Sequence, residues 1–155
     1  MAKELKVGDK APAFKLKNDQ DEWMSLKDFS GKTLVLYFYP KDLTSGCTTE
    51  SCDFNDNLPK LKKKDAVVIG VSKDSVASHV KFRDKYKFKF NLLSDPETEM
   101  CEAYGVWKEK SMYGRKYMGI ERTTFIISPK GVIEKIYNKV KVPGHVDDVL
   151  SSITY

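Results

Sequence analysis

The stretch TLVLYFYPKDLTSGCTTESCDF, residues 33–54, joins an unbroken apolar run to a polar segment that contains two cysteines. An apolar run such as residues 33–39 is typical of a strand that is buried on both faces of a sheet. We expect a helix to follow it, from about residue 46 to about residue 63. Cys47 and Cys52 therefore lie where a buried strand gives way to a helix. Their spacing fits a metal site, a redox pair, a catalytic thiol with a helper, or packing alone.

Strand and helix patterns alternate along the rest of the chain. The predicted elements are a small hairpin (14–23), a strand (66–72), a helix capped at residues 74–75 and ending near 86, a strand (91–93), a helix (94–104), two hairpin strands (123–128 and 132–138) and a helix (145–152). This order predicts an α/β fold with a mixed central sheet flanked by helices, of the thioredoxin type, with the first hairpin as an N-terminal extension. We expect one domain over residues 1–155. Sites in open sheets of this kind lie beyond the carboxyl ends of the strands, where Cys47 falls.

Composition limits the class of protein. The 155 residues are 41% hydrophobic and 32% charged, as in a soluble globular protein. The sequence has no apolar run near the roughly 20 residues that a membrane span needs, so we expect no membrane partner. The opening segment MAKELKVGDKAPAF lacks the apolar core of a signal peptide, which predicts a cytoplasmic protein. Three cysteines argue against a secreted disulfide scaffold.

The net charge of +5 reflects 27 Lys and Arg against 22 Asp and Glu. The most basic stretch, residues 81–90, interleaves aromatic and charged residues, as some nucleic-acid-binding segments do. Phe82 and Tyr86 are four residues apart, however, as on the apolar face of a helix. We therefore interpret the lysines between them as solvated surface and expect no nucleic-acid partner.

Cys47 follows Gly46 in the first turn of the predicted helix. Unpaired backbone N–H groups and the positive end of the helix dipole favour a thiolate there. Thr44 is the expected N-cap residue, and its hydroxyl is within reach of the sulfur. Full ionisation of an ordinary thiol raises its thiolate fraction at pH 7 by about thirtyfold, which is worth roughly 2 kcal/mol of barrier.

Faster chemistry at this sulfur needs a cation that stabilises the charge developing on the leaving atom. Arg122, just before the predicted strand 123–128, is the candidate for this cation. The other two arginines, Arg83 and Arg115, lie in lysine-rich segments where we expect them to be exposed.

Cys52 is five residues after Cys47. On a continuous helix the two Cα atoms are about 8–9 Å apart, whereas a disulfide tolerates about 7 Å at most. The two cysteines therefore cannot bond while the helix is intact. Either Cys52 is structural, or the protein cycles between a folded and a locally unfolded state.

Other cysteine chemistries fit the sequence poorly. A structural zinc site needs four ligands in paired spacings, and His79 and His145 are far apart and unpaired. A thioredoxin-style oxidoreductase needs a Cys-x-x-Cys motif. A cysteine hydrolase needs a histidine base; His145 opens the last predicted helix and His79 lies within a helix, so neither is well placed. We expect no metal.

Several segments together resemble one family. The sequence resembles the peroxiredoxins, and among them the bacterioferritin-comigratory or peroxiredoxin Q group, over nearly its whole length. The segments that carry the resemblance are VGDKAPAF, LKDFSGKTLVLYFYPKD, TTESCDF, LLSDPE, AYGVW, GIERTTFIIS and GHVDDVL. The most specific element is Pro-x-x-x-Thr-x-x-Cys, here Pro40, Thr44 and Cys47, together with Arg122 before a strand that contains Thr-Phe.

The resemblance implies a thioredoxin-like fold and a thiol peroxidase that reduces hydrogen peroxide and organic hydroperoxides. It implies that Cys47 attacks the peroxide and becomes a sulfenic acid. It implies that Cys52 resolves this acid as an intramolecular disulfide after the helix unwinds. Thr44 would hydrogen-bond the thiolate and the peroxide, and Arg122 would stabilise the thiolate and polarise the peroxide. Pro40 would shield the sulfur from water.

Further expectations follow from the same resemblance. Glu50 would orient Arg122. Ser45 stands where the family usually has proline, which leaves the first helical turn less rigid. Cys101 has no role in the family, and we expect it to be buried in the core.

For partners, the resemblance implies a peroxide substrate and a thioredoxin-like reductant. It implies no cofactor, and a monomer, with a weak dimer as the alternative. The competing function is a redox sensor, in which the same thiol reports peroxide to a partner protein. Repeated turnover with a thioredoxin system distinguishes the enzyme from the sensor.

Overall fold

The structure is a computed structural model that describes residues 5–153. Its strands are β1 (Lys15–Asn18), β2 (Trp23–Ser25), β3 (Thr33–Phe38), β4 (Ala66–Ser72), β5 (Asn91–Ser94), β6 (Trp107–Met112), β7 (Arg115–Ile120), β8 (Thr123–Ile127) and β9 (Ile133–Tyr137). Its α-helices are α1 (Ser45–Asp56), α2 (Leu58–Lys63), α3 (Val76–Tyr86), α4 (Glu99–Ala103) and α5 (His145–Ser152). A short 3-10 helix spans Leu26–Phe29.

Seven strands form a mixed sheet in the order β2-β1-β5-β4-β3-β8-β9. Strand β3 pairs in parallel with β4 and antiparallel with β8, and β4 pairs in parallel with β5. The N-terminal hairpin of β1 and β2 extends this sheet through an antiparallel pairing of β1 with β5. The mixed sheet with flanking helices, the N-terminal hairpin and the hairpin of β8 and β9 are therefore confirmed.

Strand β3 lies at the centre of two apolar clusters. Leu34, Leu36 and Phe38 pack on one face of the sheet, and Val35 and Tyr37 pack on the other. This alternation follows from the two-residue period of a strand, and it explains why the whole run is apolar. The second face also holds α1, which places the Cys47 helix directly on the central strand.

The helix predicted over residues 46–63 is two helices in the structure. Helix α1 ends at Asp56 and α2 begins at Leu58, with Asn57 between them. Pro59 has no N–H to continue the hydrogen bonding of α1, and proline fits only in the first turn of a new helix. The prediction of one continuous helix was wrong beyond residue 56.

The helix predicted from residue 94 begins at Glu99. The Thr98 N–H donates to the Asp95 carbonyl at 3.0 Å, and this turn keeps residues 95–98 out of the helix. Thr98 itself has φ +59°. The Asp95 carboxylate instead reaches forward to accept the Cys101 N–H at 2.8 Å. Asp95 therefore does bond to the first turns of α4, but it lies four residues before the helix begins.

The hairpin of β6 and β7 was not predicted. Its strands are rich in charged and exposed residues, so the usual alternation of apolar and polar positions is weak. Tyr113 and Gly114 form its two-residue turn, both with positive φ, as such hairpins require. The remaining predicted strands and helices lie within a few residues of their observed bounds, and Ser75 caps α3 by accepting the Ser78 N–H. Within residues 5–153 no helix is both long enough and apolar enough to cross a membrane.

A close approach between β3 and β4 gives a test of this packing. The Tyr37 hydroxyl hydrogen-bonds the Ser51 hydroxyl of α1 at 2.7 Å, and the Tyr37 ring lies over Gly70. A Cβ atom at Gly70 would come within 2.8 Å of this ring and 2.9 Å of Leu92. Because both neighbours are fully buried, neither can move aside without disturbing the core.

We therefore predict that Gly70→Ala lowers the free energy of unfolding by about 2–3 kcal/mol, as measured by urea denaturation. Gly119→Ala on β7 is the matched control, because its Cβ would meet the flexible Lys110 side chain at 3.2 Å. Equal stability of Gly70→Ala and the unsubstituted protein would contradict the described packing of Tyr37.

Candidate active site

Cys47 lies in the first turn of α1, just beyond the carboxyl end of β3. Its side chain is 1% exposed and its thiol is free. Thr44 is the N-cap residue, as predicted, and its carbonyl accepts the Thr48 N–H at 2.9 Å. The sulfur therefore sits among the unpaired N–H groups of a helix start, where negative charge is favoured.

Arg122 reaches the sulfur from the residue just before β8, the strand that pairs with β3. Antiparallel pairing sets Phe38 opposite Thr123, so Arg122 lies beside the end of β3. One terminal nitrogen, Nη2, donates to the Cys47 Sγ at 3.2 Å, and the other, Nη1, donates to the Glu50 Oε1 at 2.6 Å. The structure thus brings the predicted cation to the predicted thiol.

Gly46 allows this approach. A Cβ atom at residue 46 would lie 3.3 Å from the Arg122 Nη2. A side chain there would crowd the guanidinium against Cys47. The glycine before the cysteine therefore has a steric role beside the arginine.

Glu50 is fully buried one turn after Cys47. Burial raises the pKa of Glu50 to about 7, although the Arg122 charge opposes this rise. Its Oε1 accepts from Arg122, whereas Oε2 has no hydrogen-bond partner within residues 5–153. Glu50 thus orients the guanidinium, as expected, and is only partly compensated for its burial.

Thr44 and Pro40 lie in the loop between β3 and α1. The Thr44 hydroxyl donates to the Lys41 carbonyl at 2.8 Å and makes no cap hydrogen bond to the helix. Within residues 5–153 no hydrogen bond joins this hydroxyl to the Cys47 sulfur, in contrast to the expectation from the sequence. Pro40 is half-buried, two residues after the end of β3.

Cys52 lies on the same helix as Cys47, is half-buried and is also free. Helix α1 is continuous from Ser45 to Asp56, so the structure describes both thiols unbonded with the helix formed. Burial, followed by the charges of Asp56 and Asp53, raises the pKa of the Cys52 thiol. Its surroundings therefore disfavour a thiolate while the helix stays closed.

Cys101 is fully buried on α4. Burial and the nearby Asp95 carboxylate raise the pKa of the Cys101 thiol far above its usual range. Such a thiol is unreactive, in agreement with the expected core position.

Three polar residues have surroundings that the sequence did not predict. Arg83 is only a quarter exposed and pairs with the buried Asp19 carboxylate at 2.8 Å, so the expectation that Arg83 is exposed was wrong. His79, which the sequence excluded only as a zinc ligand and as a hydrolase base, is buried against Asp42 with an Nδ1–Oδ2 distance of 2.7 Å. Lys110 of β6 is half-buried, and burial together with the Arg122 charge lowers its pKa. Long-range packing creates these contacts, and no local pattern signals them.

The chain is similar in sequence to a family of known proteins. The model of the AhpC/TSA family matches residues 7–136. A putative peroxiredoxin bcp of Coxiella burnetii is 51% identical over 149 residues, which cover 96% of this chain and 99% of that protein. Peroxiredoxin Bcp of Bacillus subtilis is 49% identical over 149 residues and covers 96% of this chain and 95% of its own.

A solved structure gives the same result. It shows the bacterioferritin comigratory protein of Xanthomonas campestris, in work on its alkyl peroxide reduction activity. This chain superposes on it with a TM-score of 0.87 at 46% identity, over 90% of this chain and 89% of that one. The thioredoxin-like arrangement of sheet and helices is thereby confirmed.

The raised pKa of Glu50 predicts a pH-dependent stability. Its pKa is about 7 in the folded protein against 4.5 for an ordinary glutamate. The folded state therefore holds a proton that the unfolded state has released, and the free energy of unfolding falls as pH rises through this window. Glu50→Gln keeps an oxygen for Arg122 and removes the ionisation. We predict that the variant gains up to about 3 kcal/mol on the unsubstituted protein between pH 4.5 and pH 7.

Urea denaturation of both proteins at a series of pH values measures this difference directly. Because every other titrating group is shared, subtraction isolates residue 50. A difference that stays constant across the range would show that Glu50 is ionised throughout.

Proposed function

The chain belongs to the AhpC/TSA family of peroxiredoxins, and from this premise we propose that Cys47 is the sulfur that attacks the peroxide. The protein is a thiol peroxidase that acts on hydroperoxides. The observation that carries the assignment to Cys47 is its 3.2 Å contact with the Arg122 guanidinium at a helix start. Neither Cys52 nor Cys101 has such a cation among the hydrogen bonds of residues 5–153.

The reaction begins with attack by the Cys47 thiolate on one oxygen of the peroxide bond. The S–O bond forms as the O–O bond breaks, which leaves a sulfenic acid. The leaving oxygen takes up a proton, equivalent to the one that the thiol lost on ionisation, and departs as water from hydrogen peroxide or as an alcohol from an organic hydroperoxide. Arg122 stabilises the thiolate and polarises the peroxide, because its Nη2 already points at the sulfur. Negative charge that moves onto the leaving oxygen stays next to this cation.

Thr44 and Pro40 shape the place where the peroxide binds. The Thr44 hydroxyl hydrogen is committed to the Lys41 carbonyl, so its oxygen is left to accept a hydrogen bond from the peroxide O–H. Pro40 has no N–H and presents an apolar ring beside the loop, which limits the access of water to the sulfur. Glu50 holds Arg122 in position from the other side.

Cys52 completes the cycle. Its thiolate attacks the Cys47 sulfenic acid, the S–S bond forms as the S–O bond breaks, and the sulfenic oxygen takes up the proton that the Cys52 thiol lost and leaves as water. This step requires α1 to unwind, because residues five apart on a helix are too far apart for a disulfide. A thioredoxin-like dithiol protein then reduces the disulfide and restores both thiols.

We propose a cytoplasmic, monomeric enzyme of one domain that works without a cofactor.

A pair of serine variants tests these roles. We predict that Cys47→Ser consumes no hydrogen peroxide above background, because it lacks the nucleophile. We predict that Cys52→Ser reduces one equivalent per chain in a single turnover and then stops when thioredoxin is the reductant. Peroxide consumption with and without a thioredoxin system measures both variants.

Each outcome bears on a different role. Normal consumption by Cys47→Ser would remove the nucleophile from residue 47. Steady turnover of Cys52→Ser at the unsubstituted rate would remove the resolving role from residue 52. One stoichiometric oxidation of the unsubstituted protein, without further turnover, would favour the sensor over the enzyme.

A further inference from the structure

Four hydrogen bonds converge on Asp42 in the loop between β3 and α1. The Tyr39 hydroxyl donates to Oδ1 at 2.6 Å, and the Ser78 hydroxyl donates to Oδ2 at 2.8 Å. The His79 Nδ1 lies 2.7 Å from Oδ2. The Asp42 N–H donates to the Asp74 Oδ2 at 2.8 Å. This one residue is thus tied to the end of β3, to the segment after β4 and to α3.

His79 and Asp42 form a buried pair that holds a proton between them. Their side chains are 0% and 1% exposed. The His79 Nε2 lies 2.8 Å from the Leu93 carbonyl, which can only accept, so Nε2 bears a hydrogen. The contact between Nδ1 and the carboxylate Oδ2 needs a hydrogen as well. His79 therefore bridges β5 to the loop with both of its ring nitrogens.

The loop needs this support, because its backbone is strained at the next residue. Leu43 has φ +64°, a left-handed conformation that a branched side chain adopts at a cost. Its side chain is 46% exposed, so burial of Leu43 does not hold the loop in place. The anchored neighbour, Asp42, holds it instead. Thr44 follows directly, with its hydroxyl on the Lys41 carbonyl.

We propose that Asp42 and His79 are positioning residues for peroxide reduction. His79 fixes Asp42, and Asp42 fixes the loop that sets Pro40 and Thr44 beside Cys47. The proposal rests on the proposed function of Cys47 and Thr44. Helix α3 and strand β5 carry no group that contacts the peroxide, but under this proposal they affect the rate of its reduction.

A metal site is the other chemistry that this cluster suggests. Asp42, Asp74 and His79 offer ligand atoms within 4.8 Å of one another. The oxygens and nitrogen that face each other, however, already make hydrogen bonds within the cluster: Asp74 Oδ2 accepts from the Asp42 N–H and from the Ser72 hydroxyl. The internal bonds explain the arrangement without an ion.

Two substitutions of His79 separate its two hydrogen bonds. His79→Asn places an amide N–H near the position of Nδ1 and keeps the link to Asp42, whereas His79→Gln places one near Nε2 and keeps the link to Leu93. We expect His79→Gln to lower the second-order rate of Cys47 oxidation by hydrogen peroxide about tenfold to a hundredfold, since small misplacements in a reacting site have effects of this size. We expect His79→Asn to keep most of the rate of the unsubstituted protein.

The rate of Cys47 alkylation by iodoacetamide distinguishes a positioning role from a merely structural one, because a structural defect would lower the alkylation rate and the peroxide rate together. Alkylation needs the thiolate, which Arg122 stabilises, but it does not need Thr44 to hold a peroxide. We expect the alkylation rates of both variants to stay within about threefold of the unsubstituted protein, well below the loss in peroxide rate expected from misplacement. Arg83→Gln is the matched control. Arg83 lies on the same helix as His79, and its substitution removes the ion pair with the buried Asp19 but no contact with the loop. We expect it to lose stability and keep its peroxide rate.

Tyr39→Phe gives an independent test that does not depend on the folding of the histidine variants. It removes the hydrogen bond to Asp42 Oδ1 and a longer contact, 3.5 Å, with His79 Nδ1, and we expect a selective loss of peroxide rate there too. Equal peroxide rates for His79→Asn and His79→Gln, parallel loss of alkylation, or an unchanged Tyr39→Phe would each overturn the proposal. If Cys47 of the unsubstituted protein does not react with peroxide, the proposed function fails first. Normal reaction there with unaffected variants overturns this inference alone.

Discussion

The Arg122 guanidinium lies between the Cys47 sulfur at 3.2 Å and the Glu50 carboxylate at 2.6 Å, and both of these partners belong to α1. The contact joins the first turns of α1 to the residue that precedes β8, the strand beside β3. It exists only while the first turns of α1 are formed, since unwinding separates residues 47 and 50 from Arg122. The cation that activates the Cys47 thiol therefore stays in place only while α1 is folded. The packing of α1 on the sheet maintains this arrangement.

The closing of α1 is favourable but modest in size. Burial of Phe54 contributes about 2–3 kcal/mol, and the Tyr37–Ser51 hydrogen bond adds roughly 1 kcal/mol. Against this, Glu50 is buried with one oxygen unpaired, which weakens the same helix. Local opening of one helix costs less than unfolding the whole domain, so α1 can open and still be closed most of the time. In the closed state the raised pKa of the Cys52 thiol disfavours its thiolate, and Cys52 needs that opening to come within disulfide distance of Cys47.

The sequence predicted most of the sheet, because the apolar runs of β3, β4 and β8 have the periods that buried strands require. Cys47 and Arg122 were also identifiable, one from its place at a helix start and the other from the charge that the chemistry demands. Pro59 explains the break that was missed after α1. The hairpin of β6 and β7 was missed because charged, exposed strands lack an apolar period. Asp42 and His79 are 37 residues apart, and their pairing depends on how α3 packs on the sheet, which no local pattern encodes.

The central claim is that Cys47 reacts while α1 is formed and bonds Cys52 only after α1 opens. Amide hydrogen exchange across residues 45–56, in the reduced protein and after one equivalent of peroxide, tests it most directly. The account predicts protected amides in the reduced protein and rapid exchange once mass spectrometry shows the Cys47–Cys52 disulfide. A disulfide formed with these amides still protected would contradict it.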